Sequence, residues 1–272
     1  MDVILQFIED GELSELDRAN LNMLRATLQY PADVTIKCIK LAQDINFIVN
    51  ANNQKDRKDR PVDVLFYLWS LIIEISSCIP PDHPWQDSLL QAIDYLHRQD
   101  GTVPGLGANR WKELPYLSLR IRELWIDPTV EVEGDLEESK LTRWKNQNSF
   151  VARPIGAFFN PGPTFPIWQL RLALEEPPIN GPGLECRLWV ACEWIIRCSR
   201  IIYKCMDAGL SNHTAFQTGS LCHEVPHFSI ERWNFWKKRL TEIPADSTNL
   251  NLDLAIVTRI SHTIEIMEGF GK

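Results

Sequence analysis

Between residues 184 and 208 the spacing predicts one long helix with apolar side chains on almost every face. Leu188, Trp189, Trp194, Ile195, Ile201 and Ile202 point around the axis, and Glu193, Arg197, Arg200 and Lys204 interrupt them. Those four recur at spacings of 4, 3 and 4, a single stripe on a helix of 3.6 residues per turn. A helix that is apolar nearly all round must be wrapped by other elements, so this one belongs at the centre of a fold. Its charged stripe either meets solvent and ion-pairs or lines an internal polar cavity.

The same helical period runs through most of the chain, and prolines punctuate it. Val3 to Glu9 reads as helical, and Ser14 with Asp17 starts a second helix by capping-box logic, with Asp in the place of Glu. Pro31 opens a helix through about residue 50. Pro61 opens one to about Ser77, and Pro84 one to about Arg98. Short or amphipathic segments follow at 115–125, from Leu141, and at about 166–175, 230–241 and 251–267. Pro154 should kink or end the helix from Leu141, because proline lacks the N–H and clashes in a helix interior. No run alternates as a strand does. The reading is all-α, one globular bundle of about ten helices. Residues 1–272 are read as a single domain. The polar run 50–60 could leave residues 1–50 as a mobile helical pair, with 60–243 as the core.

Charge narrows the function classes. The net charge of -8 argues against a duplex or tRNA partner, which needs a basic surface. A small anion held by a local arginine cluster remains compatible. No apolar run is long enough to span a bilayer. The acidic N-terminus lacks the basic region of a signal or transit peptide. The 7 cysteines are odd in number in a chain too large to need stapling, so they read as thiols in a reducing compartment, with the cytoplasm expected.

The usual catalytic signatures are missing. Gly101 to Gly107 lacks phosphate-loop spacing and follows no strand. Cys222, His223 and His227 lack the further ligands of a zinc site. The segment Gly219 to His223 has no base positioned beside a nucleophile. The acidic run from Glu131 to Glu138 reads as a solvated loop.

What stands out is a set of tryptophans and arginines inside apolar segments, with seven of the 10 tryptophans from Trp125 onward. Arg153 precedes a helix-disturbing proline, and Arg171 sits between Trp168 and Leu172 with Glu175 four residues on. A buried arginine must be paired or reach into a cavity. Arg153, Arg171 and Arg197 are therefore expected to bind a ligand or exchange carboxylate partners, beside Asn148, Trp168 and Trp194. Glu123, Glu175 and Glu193 are the candidate carboxylates of these segments.

These residues also fall into ordered blocks. They are Pro81-Asp-His-Pro84-Trp-Gln86, Trp111-Lys-Glu-Leu-Pro115 with Arg122-Glu-Leu-Trp125, Asn146-Gln-Asn148-Ser-Phe150-Val-Ala-Arg153, Trp168-Gln-Leu-Arg171, Glu193-Trp194, and Ser229-Ile-Glu-Arg232-Trp233 with Trp236. Over roughly residues 60–240 the blocks resemble a large fungal family designated domain of unknown function three-six-three-two. Some related fungal proteins are noncanonical sesquiterpene cyclases of the humulene synthase type. The resemblance implies an all-α fold, an isoprenoid diphosphate and Mg²⁺. The arginines would then grip the diphosphate and the glutamates the metal. This chain departs from that chemistry. It has no DDxxD, and it puts Arg153 where the second metal motif, mimicked by Asn146 and Ser149, needs a glutamate. Two functions follow as expectations. One is a terpene-cyclase-like enzyme of specialised metabolism. The other is a non-catalytic helical protein that binds a partner protein or a regulatory ligand; under one reading or the other the partner is a protein or a small apolar or diphosphate ligand.

Overall fold

A computed structural model describes residues 13–51, 61–130, 136–209, 216–245 and 252–271, with Leu5, Ile8 and Leu250. The helix read at Val3–Glu9 lies largely outside the described residues, as do most of the 50–60 run and of the acidic loop. The fold is all-α. Among the described residues the only β feature is an isolated antiparallel bridge between Thr102 and Arg110. None of the described helices is long and apolar enough to cross a membrane. The chain forms two compact units, residues 1–126 and 127–272, divided after Ile126.

The first unit holds α1 (Glu15–Gln29), α2 (Val34–Ala51), α3 (Pro61–Ser77), α4 (Pro84–His97) and α5 (Leu117–Glu123), with a 3-10 turn at Trp111–Glu113. The capping box forms as read: Ser14 Oγ accepts from Asp17 N at 3.1 Å and donates to the Asp17 carboxylate at 2.6 Å. Helix α2 begins later than Pro31, because the Asp33 carboxylate accepts from Ile36 N at 2.8 Å and so caps the helix. The Gln86 amide ties α4 to the end of α3, donating to Ile79 O at 2.7 Å. Trp69 Nε1 reaches Pro115 O at 2.9 Å and pins the loop ahead of α5.

The second unit holds α6 (Glu138–Ala157), α7 (Thr164–Leu170) continued by a π turn (Arg171–Glu175), α8 (Pro182–Asp207), α9 (Ile230–Ala245) and α10 (Leu254–Glu268). Helix α8 is central: α6, α7, α9 and α10 all pack on it. Leu188, Val190, Trp194, Ile195 and Ile202 are buried there. Pro154 neither kinks out nor ends α6 at once; the helix continues to Ala157. The break falls within one turn all the same, since Phe158 N and Phe159 N both close onto Pro154 O at 2.8 Å. Gly156 allows α6 to touch α8, because a Cβ there would lie 2.2 Å from Arg197 O.

Candidate functional site

The second unit carries two buried carboxylates, each set among arginines. Glu175 ends the π turn and is fully buried, as is Arg232 on α9 (0% exposed for both side chains). Arg232 Nε donates to Glu175 Oε1 at 2.7 Å, and Nη2 donates to Oε2 at 3.1 Å. Trp236 Nε1, one turn along α9, donates to Oε1 at 2.6 Å. Gly219 N donates to Oε2 at 2.7 Å. Four donors thus occupy one carboxylate, close to the capacity of its lone pairs. Gly219 has to be glycine for this approach, since a Cβ would stand 2.5 Å from Glu175 O.

The remaining donors of Arg232 hold a loop. Its Nη1 donates to Phe216 O at 2.8 Å and to His227 O at 2.6 Å. Ser229 Oγ caps α9 by accepting from Arg232 N at 3.1 Å. Leu221 N donates to Glu175 O at 2.8 Å. Helix α9, the π turn and the loop from Phe216 to His227 are therefore fastened at one ion pair. Burial, with the Glu175 charge nearby, pushes the Cys222 thiol up to about 12, so it is no nucleophile at neutral pH.

Glu193, on α8, accepts from Ser149 Oγ of α6 at 2.7 Å and from Arg197 Nε at 3.0 Å. Its other oxygen accepts from Arg259 Nη2 of α10. The Arg259 guanidinium also lies over the Trp189 ring, 4.2 Å from its centroid. Burial alone would raise the Glu193 carboxyl, but the Ser149 hydroxyl and the two guanidiniums outweigh it and hold the group below its ordinary value. At Glu193 the charged stripe of α8 thus turns away from solvent. It pairs inward there, while Arg200 and Lys204 are exposed.

The other residues singled out from sequence fall as follows. Asn148 is buried on α6, where its amide donates to Trp144 O at 2.9 Å and its oxygen accepts from Trp194 Nε1 at 2.8 Å. Trp194 is fully buried on α8. Trp168 is half-buried and edge-on to Phe165, with centroids 6.2 Å apart. Arg153 is half-buried, one turn along α6 from Ser149. Arg171 departs from its expected burial: its side chain is 39% exposed and pairs with Glu176 at 3.0 Å, leaving Glu175 to Arg232. The cause is the π turn, whose wider ring brings together residues five positions apart. Glu123 belongs to the first unit and pairs with Arg120 at 2.8 Å. Among the described residues no three His, Cys, Asp or Glu side chains gather as a metal-binding group.

Sequence reasoning did not select Arg232 or Arg259 as site residues. Arg232 could have been found, because the pattern Arg232, Trp233, Trp236, Leu240 marks the buried face of α9. Arg259 is flanked by Ile256, Ile260 and Thr263 on the buried face of α10.

The family model described as "Protein of unknown function (DUF3632)" matches residues 69–240. The chain belongs to the DUF3632 family. The match runs from Trp69 in α3 to Leu240 in α9. It includes Glu175, Glu193, Arg197 and Arg232 but not α10 with Arg259. No curated protein and no solved structure matches the chain.

Proposed function

We propose that this DUF3632 protein is a non-catalytic helical binding protein, in which the tryptophan and arginine core is a frame. One observation carries the reading: the two buried carboxylates of the second unit are already committed. Mg²⁺ needs carboxylate lone pairs in near-octahedral geometry. At Glu175 those lone pairs serve Arg232, Trp236 and Gly219. At Glu193 they serve Ser149, Arg197 and Arg259. A cyclase built on these residues would first have to break buried, charge-assisted hydrogen bonds, the strongest in the unit.

The test is incubation of the full chain with farnesyl diphosphate and Mg²⁺. Diphosphate release is followed colorimetrically, and hydrocarbon products by gas chromatography. Neither should exceed a protein-free control. Turnover that disappears in Glu175→Gln or Glu193→Gln would overturn the proposal and restore the cyclase reading of the resemblance.

A further inference from the structure

We infer that the groove on α8 and α9, filled in cis by α10, is a docking site for a partner protein that enters as an amphipathic helix with an arginine beside its apolar stripe. The inference rests on the binding-protein reading and names the kind of partner. Its first support is the form of the cis occupant, which packs on α8 and α9. Ile256, Ile260, Thr263 and Met267 of α10 are buried, at steps of 4, 3 and 4, and Phe270 follows three residues on. That is the anchor pattern of a helix laid in a groove. Thr258, Ser261, His262 and Glu265, on the opposite face, are exposed.

The groove dictates the chemistry of what fills it. Glu185, in the first turn of α8, accepts from Asp253 N at 2.7 Å. Tyr203, toward the other end of α8, and Trp233 of α9 take the Phe270 ring, with centroids 5.2 Å and 5.7 Å from it. Helix α10 therefore runs in the same direction as α8, and its seat from Glu185 to Tyr203 is about 27 Å long at 1.5 Å per residue. Between these ends lies Glu193. Ser149 and Arg197 hold its Oε1 from the α6 and α8 side, and its Oε2 takes Arg259. An occupant without a cation at that point would strand a buried carboxylate oxygen. The Trp189 ring, under the Arg259 guanidinium, selects a flat cation for stacking, so the partner helix carries arginine there.

The second support is that α10 fits imperfectly. Arg259 Nε and Trp233 Nε1 are both buried without a hydrogen-bond partner among the described residues. Both belong to this seat, and buried donors left without acceptors weaken the packing that strands them. A partner helix that supplies either acceptor gains on α10. The attachment is also limited to one face. Of the 15 residues of α10 four are buried, against 15 of the 26 in α8. Trp189, Glu193, Tyr203 and Trp233 lie within the matched residues 69–240 and α10 lies beyond them, so its displacement leaves the matched region whole.

The experiment is fluorescence anisotropy of a labelled peptide of residues 252–272 with the full chain in three forms. These are the wild type, Arg259→Glu, and a chain cut after folding at a protease site inserted between Asn249 and Leu250. In cis α10 competes at an effective concentration on the order of 1 mM. The wild type should therefore bind the peptide at least about tenfold more weakly than either opened form. Where Arg259→Glu fails to fold, the cut chain decides. On the opened chain, Arg259→Ala in the peptide should weaken binding by about tenfold or more. An alanine-based helix bearing only Ile256, Arg259, Ile260, Thr263, Met267 and Phe270 at their spacings should still bind, because a partner shares the pattern and not the sequence. No saturable binding to the cut chain, equal affinity of closed and opened forms, a peptide indifferent to Arg259, or no binding of the alanine-based helix would each overturn the site. Wild-type dimers that exchange α10, detected by sedimentation, would give the groove to a second copy and overturn the partner. Failure here leaves the non-catalytic reading intact. Turnover of farnesyl diphosphate would sink that reading and leave the groove standing.

Discussion

Replacing Arg232 with methionine should be among the most damaging single changes in the second unit. The side chain is fully buried and makes two bonds to Glu175 and three to loop carbonyls, the longest of them 3.5 Å to Gln217 O. Its removal strands a buried carboxylate that keeps only Trp236 and Gly219, at a cost of roughly 3–5 kcal/mol. The carbonyls of Phe216 and His227 lose their charged donor, at about 1 kcal/mol each. The total of roughly 5–7 kcal/mol corresponds to a melting temperature lower by about 10 °C or more. Pairing Arg232→Met with Glu175→Leu removes both charges, so the double variant should lose less than the sum of the single ones. A coupling of about 2–3 kcal/mol is expected. Urea unfolding, followed by tryptophan fluorescence in all four proteins, measures it. A loss under about 1 kcal/mol for Arg232→Met, or a coupling below about 0.5 kcal/mol, would show that the pair does not hold the unit together.

Arg171→Ala should behave differently. This half-exposed residue pairs with Glu176, so about 1 kcal/mol or less is expected in the same assay, and a larger loss would contradict its placement at the surface. Glu193 predicts a pH dependence. Its folded value lies below the ordinary 4.5, so its contribution is complete above that value and is lost as pH falls through the lowered one. The difference in urea midpoint between wild type and Glu193→Gln should accordingly shrink between about pH 7 and about pH 3, and a gap that stays constant would refute the assignment.

The helices were legible because their signals are local. Pro61, Pro84 and Pro182 each stand at a helix start, where a missing N–H costs nothing. Ser14 and Asp17 cap across three residues. The all-round apolar pattern of α8 put it at the centre, where the structure has it. Some local rules were overridden. Asp33 moved the start of α2 past Pro31, and α6 carried Pro154 for three further residues before Phe158 N and Phe159 N closed onto Pro154 O.

The sequence by itself determined the all-α class, the central helix and the fact that charged groups lie within an aromatic core. Which charges meet was decided only by tertiary structure. Spacing rules see partners three or four residues apart, and they paired Arg171 with Glu175. Glu175 instead takes Arg232, 57 residues away, and Glu193 takes Arg259, 66 residues away. A π turn passed Arg171 to Glu176, and the packing of α9 and α10 brought the distant guanidiniums in. A buried carboxylate goes to the donor that reaches it inside the fold, because leaving it unpaired costs more than any local preference provides.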